Sequence, residues 1–203
     1  MRELDVDTVL FDMDGTLVDS DAVVARVWAG WARRNGVDLE TVMRITPGRP
    51  AHESMRELAP TMSEEQRVRE SEDLLDEEKV DLDGIAPTPG ALDLLASLKL
   101  PWAIVTSADR PLALGRLGAA GIVPPQVLIT ASETTRGKPD PQGYLMAAEL
   151  MGVDPGRALV VEDSLAGVLA GRAAGCVVAA LRGVPGADVP LATLGDLERL
   201  LRD

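Results

Sequence analysis

Cysteine is almost missing: Cys176 stands alone in 203 residues. That excludes an intramolecular disulfide and a thiolate-ligated metal cluster. Aromatic side chains make up 2 % of the chain, against 46 % hydrophobic residues overall. The core must therefore be built from Leu, Val, Ala and Ile, and disorder is not expected. No apolar run approaches the roughly 18 residues needed to cross a bilayer, so no membrane partner is expected. Positive charge is also in deficit: 20 Lys and Arg against 33 Asp and Glu give a formal net charge of −13. Such a surface repels polyphosphate backbones and makes nucleic acid a poor partner. An anionic small ligand would need a local positive centre, such as a metal ion. Residues Met1-Arg2-Glu3-Leu4-Asp5 lack the apolar stretch of a signal peptide. A cytoplasmic location is expected, with a monomer as the default state.

What is present is a rhythm of short apolar runs. Thr8-Val9-Leu10-Phe11 is β-prone and ends in a polar cluster, as a buried strand would. Similar runs recur at Ala103-Ile104-Val105, Val127-Leu128-Ile129, Leu159-Val160-Val161 and Val177-Val178-Ala179-Ala180. Helical stretches over 111–119, 141–151 and 164–174 separate the last four. This alternation predicts an α/β fold, a doubly wound Rossmann-like parallel sheet with helices on both faces. Ligands then sit outside the carboxyl ends of the strands. Residues 20–85 break the rhythm. They show no convincing strand, and Ser63 with Gln66 three residues later reads as a capping box that opens a helix. The expectation is a small all-helical insert. Pro87, Pro89 and Gly90 punctuate the return to the sheet, followed by a helix near 89–99.

Some glycine patterns carry no ligand site. Gly115, Gly118 and Gly121 have the wrong spacing for a dinucleotide fingerprint and fall within or at the end of a helix. Gly167, Gly171 and Gly175 fit close packing of a helix on the sheet. No Walker-type phosphate loop is present.

The segment Asp12-Met13-Asp14-Gly15-Thr16-Leu17-Val18-Asp19-Ser20 carries more information. Aspartates two apart, leaving the end of a buried strand, can face one side together. Charges at the mouth of an apolar strand are costly unless partnered, and a divalent cation is an economical partner. An EF-hand loop does not fit, because its sixth and twelfth positions would be Leu17 and Val23 instead of Gly and Glu. Glu162-Asp163 forms a second acidic pair, at the end of another strand. If the two strands are neighbours, the carboxylates converge on a site suited to a hard ion such as Mg²⁺. Thr106-Ser107, at a third strand end, offers hydroxyls and N–H groups to a phosphate oxygen. Lys138, one of three lysines, lies in Arg136-Gly137-Lys138-Pro139-Asp140-Pro141, at the same end of the sheet.

Together these segments resemble, in order, the four motifs of the haloacid dehalogenase superfamily. The branch in question contains β-phosphoglucomutase and small sugar- and polyol-phosphate phosphatases. The resemblance spans nearly the whole chain. It implies a Rossmann-like core of residues 1–17 and 86–203, with a helical cap over 18–85. It also implies a Mg²⁺-dependent phosphatase acting on a small phosphorylated metabolite. Asp12 would be the nucleophile, forming an aspartyl phosphate, and Asp14 the acid–base. Asp12, the Asp14 main-chain carbonyl and Asp163 would hold Mg²⁺, with Glu162 nearby or linked through water. Thr106, Ser107 and Lys138 would bind the phosphoryl oxygens, and the Lys138-Pro139 bond would be cis.

Two other readings stay open. A β-phosphoglucomutase-like mutase is disfavoured because Val24 stands where that enzyme carries a histidine; the sole histidine, His52, falls at the start of a cap helix. A catalytically silent module that binds a phosphorylated ligand is weighed against by retention of all four motifs. Substrate choice would lie with the cap. There Thr46-Pro47-Gly48-Arg49-Pro50-Ala51-His52 resembles a polyol-phosphatase loop, and Arg49 either reaches the substrate or is an exposed arginine with no role. Trp28 and Trp31, three apart on a helix, read as cap core before sugar platform. Cys176 is expected to pack under the sheet.

Overall fold

The computed structural model describes residues 4–46 and 49–202. Residues 1–3 of the charged start, and Pro47 and Gly48 of the cap loop, lie outside the described residues.

Strand β1 (Thr8–Phe11) is buried along its whole length. It sits inside a six-stranded sheet ordered β5 (Leu128–Ile129), β4 (Trp102–Val105), β1, β6 (Ala158–Glu162), β7 (Val177–Ala180), β8 (Val189–Pro190). All pairings in this sheet are parallel, with Leu10 opposite both Ala103 and Val160. The period-2 alternation of strands divides the core in two. Val9, Phe11, Ile104, Leu159 and Val161 face one layer, which includes α5 (Ala91–Ser97), α6 (Arg110–Ala119) and α9 (Leu194–Arg202). Leu10, Ala103, Val105, Val160 and Val178 face the other, with α7 (Gln142–Met151) and α8 (Leu165–Ala173). Cys176 packs in this second layer. Gly171 explains how closely α8 approaches: a Cβ there would lie 3.0 Å from both Val160 and Val178. From β1 the chain moves outward to β4 and β5, then crosses back to β6 on the other flank. The strand ends beside β1 thus form a topological switch point.

The expected strands and helices are present, their ends shifted by a residue or two. Three two-residue strands were not expected: β8, and the antiparallel pair β2 (Val18–Asp19) and β3 (Ala86–Pro87). Among the described residues between β2 and β3 lie four helices, α1 (Asp21–Asn35), α2 (Leu39–Ile45), α3 (Ala51–Leu58) and α4 (Glu64–Val80), which form the expected all-helical cap. Ser63 and Gln66 close the capping box that opens α4. Trp28 and Trp31 stack edge to face at 5.4 Å, both buried, as the centre of the cap. On α4, Ser71, Leu74 and Glu78 are buried at helical spacing, and the helix rests on α1, α3 and the core helix α6. Among the described residues no helix is long and apolar enough to cross a membrane.

Candidate active site

The carboxyl ends of β1, β4 and β6 converge at the switch point. Asp12 follows β1 directly and is pinned there by its N–H, which donates to the Val161 carbonyl at 2.9 Å. Glu162, the last residue of β6, is completely buried. Its carboxylate accepts from five donors: Lys138 Nζ, Tyr144 OH, the Asp163 and Ser164 N–H groups, and Ser164 Oγ. Lys138 comes from the loop before α7, across a cis Lys138-Pro139 bond. Its ammonium group donates to Asp12 Oδ1, to Glu162 Oε1 at 2.6 Å and to the Val105 carbonyl at 3.0 Å. It also lies 5.3 Å from the centre of the Tyr144 ring.

Asp163 approaches the loop after β1 because Gly15 leaves room. A Cβ on Gly15 would fall 2.0 Å from Asp163 Oδ2, and the backbone there has φ 78°. Asp12, Glu162 and Asp163 each place a carboxylate oxygen within 4.8 Å of the others. Against them stands Lys138, with half-exposed Arg182 3.3 Å from Asp163. This surplus of buried negative charge sets the local electrostatics. Burial, followed by the Glu162 carboxylate, pushes Asp163 up to about 7. Burial also raises Asp12 well above the usual carboxylate range; Lys138 opposes the shift, and Glu162 and Asp163 add to it. Lys138 is pulled down by burial, yet Asp12 and Glu162 outweigh that and raise it. The Asp12–Lys138 pair thus pulls in two directions. One buried ammonium group and one half-exposed guanidinium do not offset this cluster of carboxylates, so Asp12 and Asp163 are both held above the usual carboxylate range. A buried, all-oxygen, electron-rich cluster fits a hard divalent cation such as Mg²⁺.

Asp14 stands one turn further along, half-buried. Its Oδ1 accepts from Ser20 Oγ at 2.7 Å and pairs with Arg116 at 2.9 Å. Arg116, on α6, also donates to Glu78 of the cap at 2.8 Å. Burial pushes Glu78 up to about 7 despite this partner. Thr106 and Ser107 follow β4. The Thr106 hydroxyl accepts from the Ala108 N–H at 3.1 Å, and Ser107 Oγ is buried without a partner among the described residues.

The structure therefore brings together Asp12, Asp14, Thr106, Ser107, Lys138, Glu162 and Asp163. Arg49 is placed differently. It lines the rim of a cleft of about 410 Å³ between cap and strand ends, where it pairs with Glu57 at 2.8 Å. Val24 and Trp28 line the same cleft from α1. His52 falls near the start of α3, as expected, and lines an adjoining cleft that shares Thr106 and Ser107 with the first. Sequence reasoning missed Arg116, Glu78, Tyr144 and Arg182. Two of these left a trace. Arg182 comes two residues after the apolar strand run Val177–Ala180, and Arg116 shares the spacing of Leu112, Ala113 and Leu117, an arginine on a buried helix face.

Comparison with known proteins agrees with this geometry. Residues 6–175 match the family model of haloacid dehalogenase-like hydrolases. The chain is similar to hexitol phosphatase A of Escherichia coli (strain K12), at 45 % identity covering 85 % of this chain and 81 % of that protein. It is also similar to validoxylamine A 7′-phosphate phosphatase of Streptomyces hygroscopicus subsp. limoneus, at 36 % identity over 96 % and 92 % of the two chains. In fold it matches β-phosphoglucomutase from Clostridium difficile, with a TM-score of 0.83 at 22 % identity over 95 % and 93 %. The matched segment runs from before the strand that delivers Asp12 to beyond the helix that follows Asp163, and the chain belongs to the haloacid dehalogenase-like hydrolases.

Proposed function

We propose that this chain is a Mg²⁺-dependent phosphoric monoester hydrolase acting on a small phosphorylated sugar or polyol through an aspartyl-phosphate intermediate. One observation carries the reading: Asp12, Asp163 and Lys138, far apart in sequence, meet at the ends of neighbouring strands. In this reading, residues 1–17 and 86–203 handle the phosphoryl group, and the cap of 18–85 receives the remainder of the substrate.

Asp12, Asp163 and the Asp14 main-chain carbonyl would hold Mg²⁺, which offsets the repulsion between an anionic nucleophile and an anionic phosphate. Glu162 acts one step back. Its oxygens are committed to Lys138, Tyr144 and the backbone beyond β6, so its part is to fix the ammonium group. A carboxylate oxygen of Asp12 attacks phosphorus and the ester P–O bond breaks. Asp14 gives its proton to the departing alkoxide oxygen. A water molecule then loses a proton to Asp14 and attacks the same phosphorus. The Asp12–phosphorus bond breaks, releasing inorganic phosphate and regenerating both carboxyl groups. Lys138 and Thr106 hold phosphoryl oxygens as charge shifts in each transition state.

The substrate class is supported by the two similar phosphatases, whose names point to hexitol phosphate and to a phosphorylated validoxylamine. It is supported independently by the cleft. Among its lining residues Thr46, Ser107 and Arg116 each keep a buried polar atom without a partner among the described residues, a demand that a hydroxylated ligand can meet.

The test is phosphate release from p-nitrophenyl phosphate and from a panel of sugar and polyol phosphates, with Mg²⁺ or EDTA. Turnover is expected with Mg²⁺, lost in EDTA and restored by added Mg²⁺. Asp12→Asn is expected to abolish it. A wild-type protein silent across the whole panel would refute hydrolysis and favour the binding module. Isomerisation with little phosphate release would indicate the mutase.

A further inference from the structure

Arg116 is an arginine that the four motifs leave without a task. Its side chain is 4 % exposed, on a core helix otherwise packed through Leu112, Ala113 and Leu117. Burying a guanidinium is costly unless its partners are fixed. Here they are carboxylates from two different parts of the fold. One is Asp14, in the turn after β1, at 2.9 Å; the other is Glu78, on cap helix α4, at 2.8 Å and itself 8 % exposed. The next residue on α4 repeats the arrangement: Lys79 pairs at 3.0 Å with Asp109, which caps the start of α6. The end of α4 is thus seated on α6 by adjacent ion pairs, one buried and one half-exposed. Ser20 Oγ donates to Asp14 Oδ1 at 2.7 Å, and Arg116 Nη1 approaches the same oxygen at 2.9 Å. Glu78 accepts from the other terminal nitrogen of Arg116, so the guanidinium is held between the two carboxylates.

We propose that Arg116, oriented by Glu78, is a positioning residue that holds Asp14 for proton delivery and completes that arrangement when the cap is seated. The inference rests on the phosphatase reading and deepens it. Loss of Arg116 leaves the nucleophile, the phosphate-binding lysine and the acidic cluster in place. It frees the carboxyl group that must protonate the leaving oxygen.

An alkoxide needs that proton, whereas p-nitrophenolate leaves without it. The experiment therefore compares kcat/KM for glycerol phosphate and a hexitol phosphate with kcat/KM for p-nitrophenyl phosphate. Arg116→Gln is expected to lower the alkyl-to-aryl ratio by at least about tenfold, because proton donation by a positioned side chain is worth that much or more. Arg116→Lys, which keeps the charge but not the fork, is expected to recover part of the loss. Arg116→Gln leaves Glu78 buried and unpaired, so a double variant, Arg116→Leu with Glu78→Leu, removes both charges and guards against a merely unfolded protein. It is expected to melt close to wild type and to show the same fall in ratio. A wild-type ratio in a folded double variant overturns the inference. A wild-type enzyme that cleaves neither ester class overturns the phosphatase reading and the inference with it, whereas an Asp14→Asn variant that keeps the wild-type ratio overturns the inference alone.

Discussion

Replacing Gly167 by alanine tests whether a helix residue that touches no substrate governs the site. A Cβ built there would lie 1.7 Å from Glu162 Oε1 and 2.2 Å from Oε2, far inside any contact distance. The carboxylate must move, and it has nowhere easy to go: it is completely buried and accepts from Lys138, Tyr144 and the start of α8. Two effects compete. Alanine favours a helix over glycine by about 1 kcal/mol. Overpacking a filled interior costs about 1–3 kcal/mol, and disturbed hydrogen bonds to a charged group add about 1.5–3 kcal/mol. The second effect wins, by roughly 2 kcal/mol or more, so the melting temperature should fall by at least about 4 °C for a chain of this size. Activity should fall further than stability suggests. Lys138 loses its anchor opposite Asp12, and one misplaced donor at a reacting oxygen costs on the order of a hundredfold in kcat. The control is Gly171→Ala. Its Cβ would meet only Val160 and Val178, at 3.0 Å. It should destabilise slightly and leave kcat intact. The measurements are thermal unfolding and kcat on the best ester of the panel. A Gly167→Ala enzyme with wild-type kcat would refute the claim that Glu162 needs that space to hold Lys138.

Asp163 offers a pH test. With its folded-state pKa at about 7, against 3.8 ordinarily, the metal-free fold keeps a proton that the unfolded chain has lost. Its stability should fall as pH rises from about 4 through 7, by up to about 4 kcal/mol. Asp163→Asn should flatten that decline, melt above wild type near pH 8 in EDTA, and lose the stabilisation given by Mg²⁺; a variant that keeps the full Mg²⁺ response would contradict this. Cys176 should resist iodoacetamide in the native protein and react at once in urea, because burial pushes its thiol up to about 11. Rapid native alkylation would show that the layer beneath the sheet opens readily.

The residues that meet at the strand ends were legible where charge interrupts a hydrophobic pattern. Thr8–Phe11 is apolar and then stops at Asp12; Ala158–Glu162 ends on two acids in the same way. A buried strand cannot tolerate such residues without a purpose, so position and type together gave them away. Lys138 was legible from its rarity and its loop. Arg116 and Glu78 were not, because their meaning is made by packing. Glu78 lies in a run of acidic residues, and only the seating of α4 on α6 separates it from its solvated neighbours. The strands β2, β3 and β8 have two residues each, too few for a period to show. Arg49 was readable as a cap residue, but its ion pair with Glu57 depends on how α3 folds back.

The pairing of Val18 with Pro87 and Asp19 with Ala86 means that the chain leaves the sheet and re-enters it side by side. Everything between these points forms a closed excursion, which the chain enters and leaves through a neck two residues deep. Exchanging that excursion for another of different length leaves the register of β1, β4 and β6 unchanged. A fold wired in this manner can vary its insert and keep its sheet whole.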